Sequence, residues 1–347
     1  MPQKIKVGIV GATGYTGVEL ARLLLNHSHV DLSFLTSQQY SGQNLSQVYP
    51  AFEGHDLALE ELNVALMAKR VDAVFLCLPH HEAMNTAKSF LDKGVKVLDL
   101  SADFRLKEAS TYEKWYGPHS QKEILKEAVY GLPELHRAQI KKAKLVACPG
   151  CYPTSIILGL APLLSEKLIS SEDIICDSKS GVSGAGRSAK IETLFCEVNE
   201  SFKPYNIGKH RHTPEIEQEL SQLAGQDTKI LFSPHLVPMD RGILSTIYAK
   251  PTRKLSSKDF TDCFKKFYKN EKFIRILPVG SFPATASVRG TNFCHISVLL
   301  DARTGRVVVC SAIDNLTKGA SGQAIQALNV MHGFSEDLGL SNTALIP

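Results

Sequence analysis

Hydrophobic positions along the chain follow two different rhythms. In the first part, Lys6 to Val10, Val30 to Thr36, Val71 to Leu78 and Val95 to Leu100 are nearly continuous apolar runs of strand length, whereas Val18 to Asn26 and Ala83 to Asp92 carry apolar residues at helical spacing. Strands that are apolar on both faces must be covered on both faces. The alternation therefore predicts a doubly wound parallel sheet, an α/β architecture with ligands at the carboxyl ends of its strands. Those ends are Gly11 to Gly14, Thr36 to Gln39, Cys77 to His81 and Leu100 to Arg105. A short apolar strand, Lys144 to Ala147, then leads toward an apolar helical run, Thr154 to Leu164.

Beyond that run the strand-like segments lengthen: Asp173 to Ser178, Ile230 to Leu236, Ile243 to Ala249, Phe293 to Asp301 and Arg306 to Ala312, with a turn at Asp301 to Arg306. Strands that follow one another through turns predict an α+β region with a mostly antiparallel sheet. Thr213 and Pro214 read as the N-cap and first residue of a helix, Pro214 to Leu223. Asn315 to Met331 reads as a long apolar-faced helix interrupted by Gly319 and Gly322. The division expected is 1–150 as a dinucleotide-binding domain completed by 315–347, and 151–314 as a second domain.

A length of 347 residues suits two cores. The net charge of +4 is mild, and no Lys/Arg run exceeds two residues, which argues against a nucleic-acid partner and permits an anionic substrate. No apolar run nears the ~20 residues that span a bilayer, and a strand begins by Ile5, leaving no room for a signal peptide. The eight cysteines, at 77, 148, 151, 176, 196, 263, 294 and 310, are scattered. Reduced thiols and a cytoplasmic location are the expectation.

Gly11-Ala12-Thr13-Gly14-Tyr15-Thr16-Gly17 is a G-x-x-G-x-x-G loop between a strand and a helix. Such a loop lets a pyrophosphate approach the backbone and rest on the helix N-terminus, so Gly11, Thr13, Gly14, Tyr15, Thr16 and Gly17 are candidate cofactor contacts. An NAD site usually carries an acid near the end of the second strand to hold the ribose. Here that end is Thr36-Ser37-Gln38-Gln39, and Asp31 lies too early. The neutral, hydroxyl-rich end favours NADP(H), with Ser37 as candidate for the 2′-phosphate and Pro79, after another strand, as a further cofactor contact.

Cys151 stands where a strand passes into a helix, and the positive end of a helix dipole favours thiolate over thiol. It is the candidate nucleophile. In Lys209-His210-Arg211-His212-Thr213-Pro214-Glu215, the two histidines precede a helix and would share one face in extended backbone. They are candidate acid–base groups, and spacing does not choose between them. No accompanying ligand pattern supports a metal. The glycine-rich Ser180 to Arg187 can present amides to an anion or a nicotinamide.

These motifs, with Leu100-Ser101-Ala102-Asp103-Phe104-Arg105, Tyr130-Gly131-Leu132-Pro133-Glu134 and Pro149-Gly150-Cys151-Tyr152-Pro153-Thr154, occur in this order in N-acetyl-gamma-glutamyl-phosphate reductases, which the chain resembles over nearly its whole length. The broader relatives are aspartate-semialdehyde dehydrogenases, which lack His-Arg-His-Thr-Pro-Glu. The resemblance implies a Rossmann-type domain, a catalytic and dimerisation domain, and a homodimer or homotetramer. It implies NADPH-dependent reduction of N-acetylglutamyl 5-phosphate to the 5-semialdehyde and phosphate, through a Cys151 thioester, in arginine biosynthesis. It makes His210 or His212 the acid–base residue. It places Arg105, Arg187, Lys209, Arg211 and Glu215 toward the anionic substrate, and Ser180, Gly181, Asn315, Lys318 and Gly319 toward the cofactor. Rival readings are a dehydrogenase acting on aspartyl or carrier-bound aminoadipyl phosphate, and a non-catalytic NADP-binding redox sensor. Most family members carry asparagine three residues before the nucleophile; here it is Cys148. It reads as a packing residue or, alternatively, as a thiol that resolves oxidised Cys151.

Overall fold

The structure, a computed structural model, describes residues 4–345. The chain forms two compact units: one runs to Pro149 and takes Ala320–Ser341, and the other comprises Gly150–Gly319 with the tail from Asn342.

The first unit is a seven-stranded, wholly parallel sheet. Its strands are β1 (Ile5–Val10), β2 (Val30–Thr36), β3 (Leu59–Glu60), β4 (Ala73–Leu76), β5 (Lys96–Asp99), β6 (Val129–Tyr130) and β7 (Leu145–Ala147), in the order β3-β2-β1-β4-β5-β7-β6. The order reverses between β1 and β4, and crevices at such switch points hold ligands. All four residues of β4 are buried, as a strand covered on both faces requires. The helix Ala83–Leu91 buries Ala83, Met84, Ala87 and Phe90, its i, i+4, i+7 stripe, against this core. The helix Gly322–His332 is buried along nearly its whole length; Asn329 meets His27 (2.8 Å) and Gln326 donates to Glu134 (3.0 Å).

The second unit has a mixed, mostly antiparallel sheet of β8 (Ile174–Gly181), β9 (Lys203–Pro204), β10 (Ile230–Val237), β11 (Ile243–Ala249), β12 (Ile274–Ile276), β13 (Cys294–Asp301) and β14 (Arg306–Ile313). The order is β12-β13-β14-β11-β8-β10-β9, with only β8–β10 and β12–β13 parallel. Burial alternates strictly along β11: Ile243, Ser245, Ile247 and Ala249 are buried, while Leu244, Thr246 and Tyr248 are not. The buried face lies under the helix Cys151–Ser165, where Gly159 admits Ile247 closely and Ser178 and Ser245 share a hydrogen bond at 2.7 Å. The other face is half-exposed, through Leu244, Thr246, Tyr248, Val308 and Cys310.

Local differences from the sequence reading have simple causes. The helix expected from Thr154 begins at Cys151, because Gly150 serves as N-cap in extended backbone (φ −70°, ψ 158°) and Pro153 falls in the first turn, where its missing N–H is not needed. The helix expected from Pro214 begins at Thr213, with His212 rather than Thr213 as N-cap. His212 is in right-handed helical backbone (φ −79°, ψ −13°), so the His-x-His segment is a turn and not extended. The long helix expected from Asn315 is a π-turn, Thr317–Ser321, followed by the helix proper. No described helix is long and apolar enough to cross a membrane.

Candidate active site

In the first unit, Gly11 has φ +83°, which glycine alone adopts without strain, and a Cβ there would lie 2.4 Å from Cys77 O after β4. A Cβ on Gly17, within the first turn of the helix Tyr15–Leu24, would lie 2.3 Å from Gly11 O. Gly14 differs. It is the N-cap, no side chain caps the helix, and a Cβ there would meet nothing nearer than Gly11 O at 3.8 Å. The amide end of the helix is thus open, as a pyrophosphate cradle requires. Ala12 and Gly11 are tied to Thr36 O (2.9 Å) and Oγ1 (3.3 Å), and Tyr49 donates to Thr13 O at 2.8 Å. Ser37 is buried and its hydroxyl is shared with Thr13 Oγ1 (3.0 Å) and the Tyr40 amide (3.3 Å). It shapes the loop from below, while Gln38 and Gln39 are exposed at the strand's end. Tyr15 and Thr16 are half-exposed and Pro79 is exposed.

Arg105 is also in this unit and is largely buried. Its Nε donates to Cys148 O (2.7 Å) and its Nη2 to Leu100 O (3.0 Å), so the guanidinium braces the main chain at the ends of β5 and β7. Beneath it, Asp99 is pushed up to about 7, chiefly by burial and then by Asp103. Burial likewise pushes the Cys148 thiol up, with Asp99 adding to the effect. A buried thiol held in its protonated form is inert, which favours the packing reading of Cys148 over the redox one.

In the second unit, Cys151 is half-buried at the first position of a fifteen-residue helix whose first turn holds no acid. Its neighbour Gly150 is gripped on several sides. The Gly150 N–H donates to Glu215 Oε1 (2.8 Å), and Thr154 donates both N–H and Oγ1 to Gly150 O (3.0 Å each). A Cβ on Gly150 would lie 2.5 Å from His212 Nε2, so that imidazole is packed directly on the residue before Cys151. A Cβ on Gly319 would lie 2.8 Å from that of Cys151.

The segment carrying Gly319 is built on Asp314, which is fully buried. Its carboxylate accepts Arg241 Nε and Nη2 (3.0 Å each), Gly290 N (2.7 Å), Leu316 N (2.8 Å) and Thr317 N (2.9 Å). Asn315 pins the glycine-rich loop, accepting from Gly242 N (2.7 Å) and donating to Ser183 Oγ (2.9 Å). Gly181 leaves no room for a Cβ, which would lie 2.6 Å from Asp240 O, and the Ser180 hydroxyl donates to Gly181 O at 2.9 Å.

The structure therefore gathers Cys151, His212, Glu215 and Gly319, with Ser180, Gly181 and Asn315 in a pinned loop. Glu215, grouped by sequence with the substrate cations, is buried under the Gly150 turn. Arg187, Lys209 and Arg211 are exposed, whereas Lys318 is fully buried, its Nζ 5.7 Å from the Phe273 ring centroid. Burial, aided by Arg211, pushes the His210 imidazole down to about 4. Sequence reasoning missed the Arg241–Asp314 pair and the tyrosines Tyr152 and Tyr205. Tyr152 directly follows Cys151, but nothing local in the sequence marks an acid as buried. Among the described residues, no group of three or more His, Cys, Asp or Glu side chains could hold a metal ion.

A parallel dinucleotide-type unit and a mixed-sheet unit with a cysteine at a helix N-terminus define the semialdehyde dehydrogenase class. Residues 6–143 match the family described as semialdehyde dehydrogenase, NAD binding domain, and residues 151–315 match semialdehyde dehydrogenase, dimerisation domain. The fold is that of aspartate semialdehyde dehydrogenase II of Vibrio cholerae complexed with ASA (TM-score 0.74, 17% identity, covering 95% of this chain and 99% of that one) and of the Candida albicans aspartate semialdehyde dehydrogenase with NADP (0.71, 17%, 97% and 100%). In sequence, the N-acetyl-gamma-glutamyl-phosphate reductases of Geotalea daltonii and Desulfotalea psychrophila are 56% and 54% identical over 345 residues, 99% of this chain and all of theirs. The chain belongs to the N-acetyl-gamma-glutamyl-phosphate reductase family.

Proposed function

We propose that Cys151 and His212 carry out the family's reaction, NADPH-dependent conversion of N-acetylglutamyl 5-phosphate to N-acetylglutamate 5-semialdehyde and phosphate. The observation that carries this reading is the Gly150 turn, held between the Glu215 carboxylate and the His212 ring with Cys151 next in the chain. The Cys151 thiolate, favoured by the helix dipole, attacks the acyl carbon. A C–S bond forms, the C–O bond to phosphate breaks, and phosphate leaves with that electron pair. NADPH, when bound, supplies the hydride that reduces the resulting thioester. His212 gives a proton to the carbonyl oxygen as it becomes an alkoxide. It takes the proton back when the thiohemiacetal collapses, releasing aldehyde and thiolate.

Gly11, Thr13, Gly14, Tyr15, Thr16 and Gly17 would hold the pyrophosphate. Ser37 would act at the 2′-phosphate through Thr13, and Pro79 would border the remainder of the cofactor. Arg187, Lys209 and Arg211 supply cations for the substrate's carboxylate and phosphate, where a guanidinium binds in bidentate fashion. Gly17→Ala places its methyl on the Gly11 carbonyl and should weaken NADPH binding roughly 10- to 100-fold, since a shift of about an ångström in such a cradle costs that much. Fluorescence titration checks it, and unchanged affinity would remove the loop from the site.

The reading is tested by supplying NADP, phosphate and one aldehyde at a time, and following NADPH absorbance. N-acetylglutamate semialdehyde should support turnover; a higher rate with aspartate semialdehyde or a carrier-bound aldehyde would overturn it. The half-exposed face of the second sheet is proposed as the contact in a homodimer or homotetramer. Thr246→Arg on β11 should then lower the mass measured by sedimentation equilibrium, and an unchanged mass would place the contact elsewhere.

A further inference from the structure

The geometry points to His210 as a positioning residue, fixed in one tautomer by the His212 amide and oriented by Tyr205 and Tyr152, that holds the His212 turn against Gly150. This rests on the roles of Cys151 and His212 proposed above.

The donors and acceptors around the ring fix the position of its proton. His210 Nδ1 accepts the main-chain N–H of His212 at 3.1 Å. An acceptor nitrogen carries no proton, so the proton of the neutral ring is on Nε2. That nitrogen lies 3.4 Å from Tyr205 Oη and donates to it. Tyr205 in turn donates to Tyr152 Oη (3.2 Å), and Tyr152 donates to the main-chain carbonyl of His235 (3.0 Å). Every bond runs in one direction and the chain ends on an amide oxygen, which takes up no proton near neutrality. It orients His210 and does not conduct a proton.

The surroundings keep each member neutral. The His210 ring is packed edge-on by Tyr152, Tyr205 and Phe232, with centroids 5.2 to 5.5 Å away, and lies 4.8 Å from that of His212. The charged or titratable groups facing it are Arg211, His212 and the two tyrosines. Burial and Arg211 oppose its protonation. Burial raises both phenols, and a Cys151 thiolate raises them further. A protonated His210 would turn an N–H toward the His212 amide and open the turn. Thr213 N also donates to His210 O (3.0 Å), so the same residue closes the turn through side chain and main chain.

Asparagine supplies the decisive variant, because its side-chain oxygen accepts the amide two residues on, as in an Asx-turn, yet never titrates. His210→Asn should keep kcat within about 5-fold of wild type and retain the histidine limb of the kcat–pH profile, which belongs to His212. His210→Phe keeps the ring and loses the acceptor; kcat should fall roughly 100-fold with little change in KM. In ¹⁵N-edited spectra of the holoenzyme, wild-type His210 should be the Nε2–H tautomer at pH 7, and Tyr205→Phe, which leaves the His212 amide on Nδ1, should keep that tautomer with circular dichroism unchanged. His210→Asn as inactive as His210→Phe and without the pH limb would make His210 the acid–base residue and overturn the proposal. An Nδ1–H tautomer in the wild type would overturn it as well. Failure of the underlying reading is separate: in that case wild-type enzyme forms no acyl adduct on Cys151.

Discussion

Cys151→Ser should lower turnover by at least ~10⁴-fold while leaving fold and NADPH affinity intact. The half-buried thiol sits at the first position of a helix with no acid among the residues of its first turn, so the N-terminal dipole acts on it directly. A serine hydroxyl at the same place stays protonated at any working pH. It is also a poor leaving group when the thiohemiacetal analogue must collapse, so both covalent steps fail together. The substitution removes only one sulfur-for-oxygen difference in volume, so circular dichroism and thermal midpoint should be near wild type. Residual activity above about one part in ten thousand would mean that another group carries the acyl chain.

The second large effect is expected one residue earlier. Gly150→Ala is compatible with the local backbone, which is extended at φ −70°, so the substitution introduces no conformational strain of its own. Its methyl would sit 2.5 Å from His212 Nε2, and the imidazole must move. Displacing an acid–base group by about an ångström should cost roughly 10²-fold in kcat, with the overpacking itself costing ~1–3 kcal/mol of stability. Steady-state kinetics with a denaturation curve checks both. A variant with wild-type kcat would show that the His212 ring can leave Gly150 without consequence. That result would remove it from the chemistry.

Features encoded locally were legible in the sequence. The apolar runs marked β1, β2, β4, β5 and β7, the glycine loop marked a tight turn into a helix N-terminus, and the strand-to-helix placement marked the position of Cys151. What escaped depends on residues far apart in the chain. Glu215 reads as an exposed partner of nearby cations until the fold brings its carboxylate to the amide of Gly150, 65 positions away. Arg105 reads as an anion binder, yet main-chain carbonyls of Leu100 and Cys148 take two of its N–H groups. The histidine pair reads as extended because spacing alone cannot register that His210 Nδ1 accepts the His212 amide and closes a turn. Ser37 likewise turns inward to Thr13, a contact that strand periodicity does not encode.

The central claim is that Cys151 becomes acylated before any hydride is transferred. Wild-type enzyme mixed with excess N-acetylglutamyl 5-phosphate in the absence of NADPH should release a burst of one phosphate per active site. The peptide containing Cys151 should gain the mass of one N-acetylglutamyl group, an adduct that hydroxylamine removes. Release of phosphate without a burst, or an acyl group on any other residue, would contradict the account.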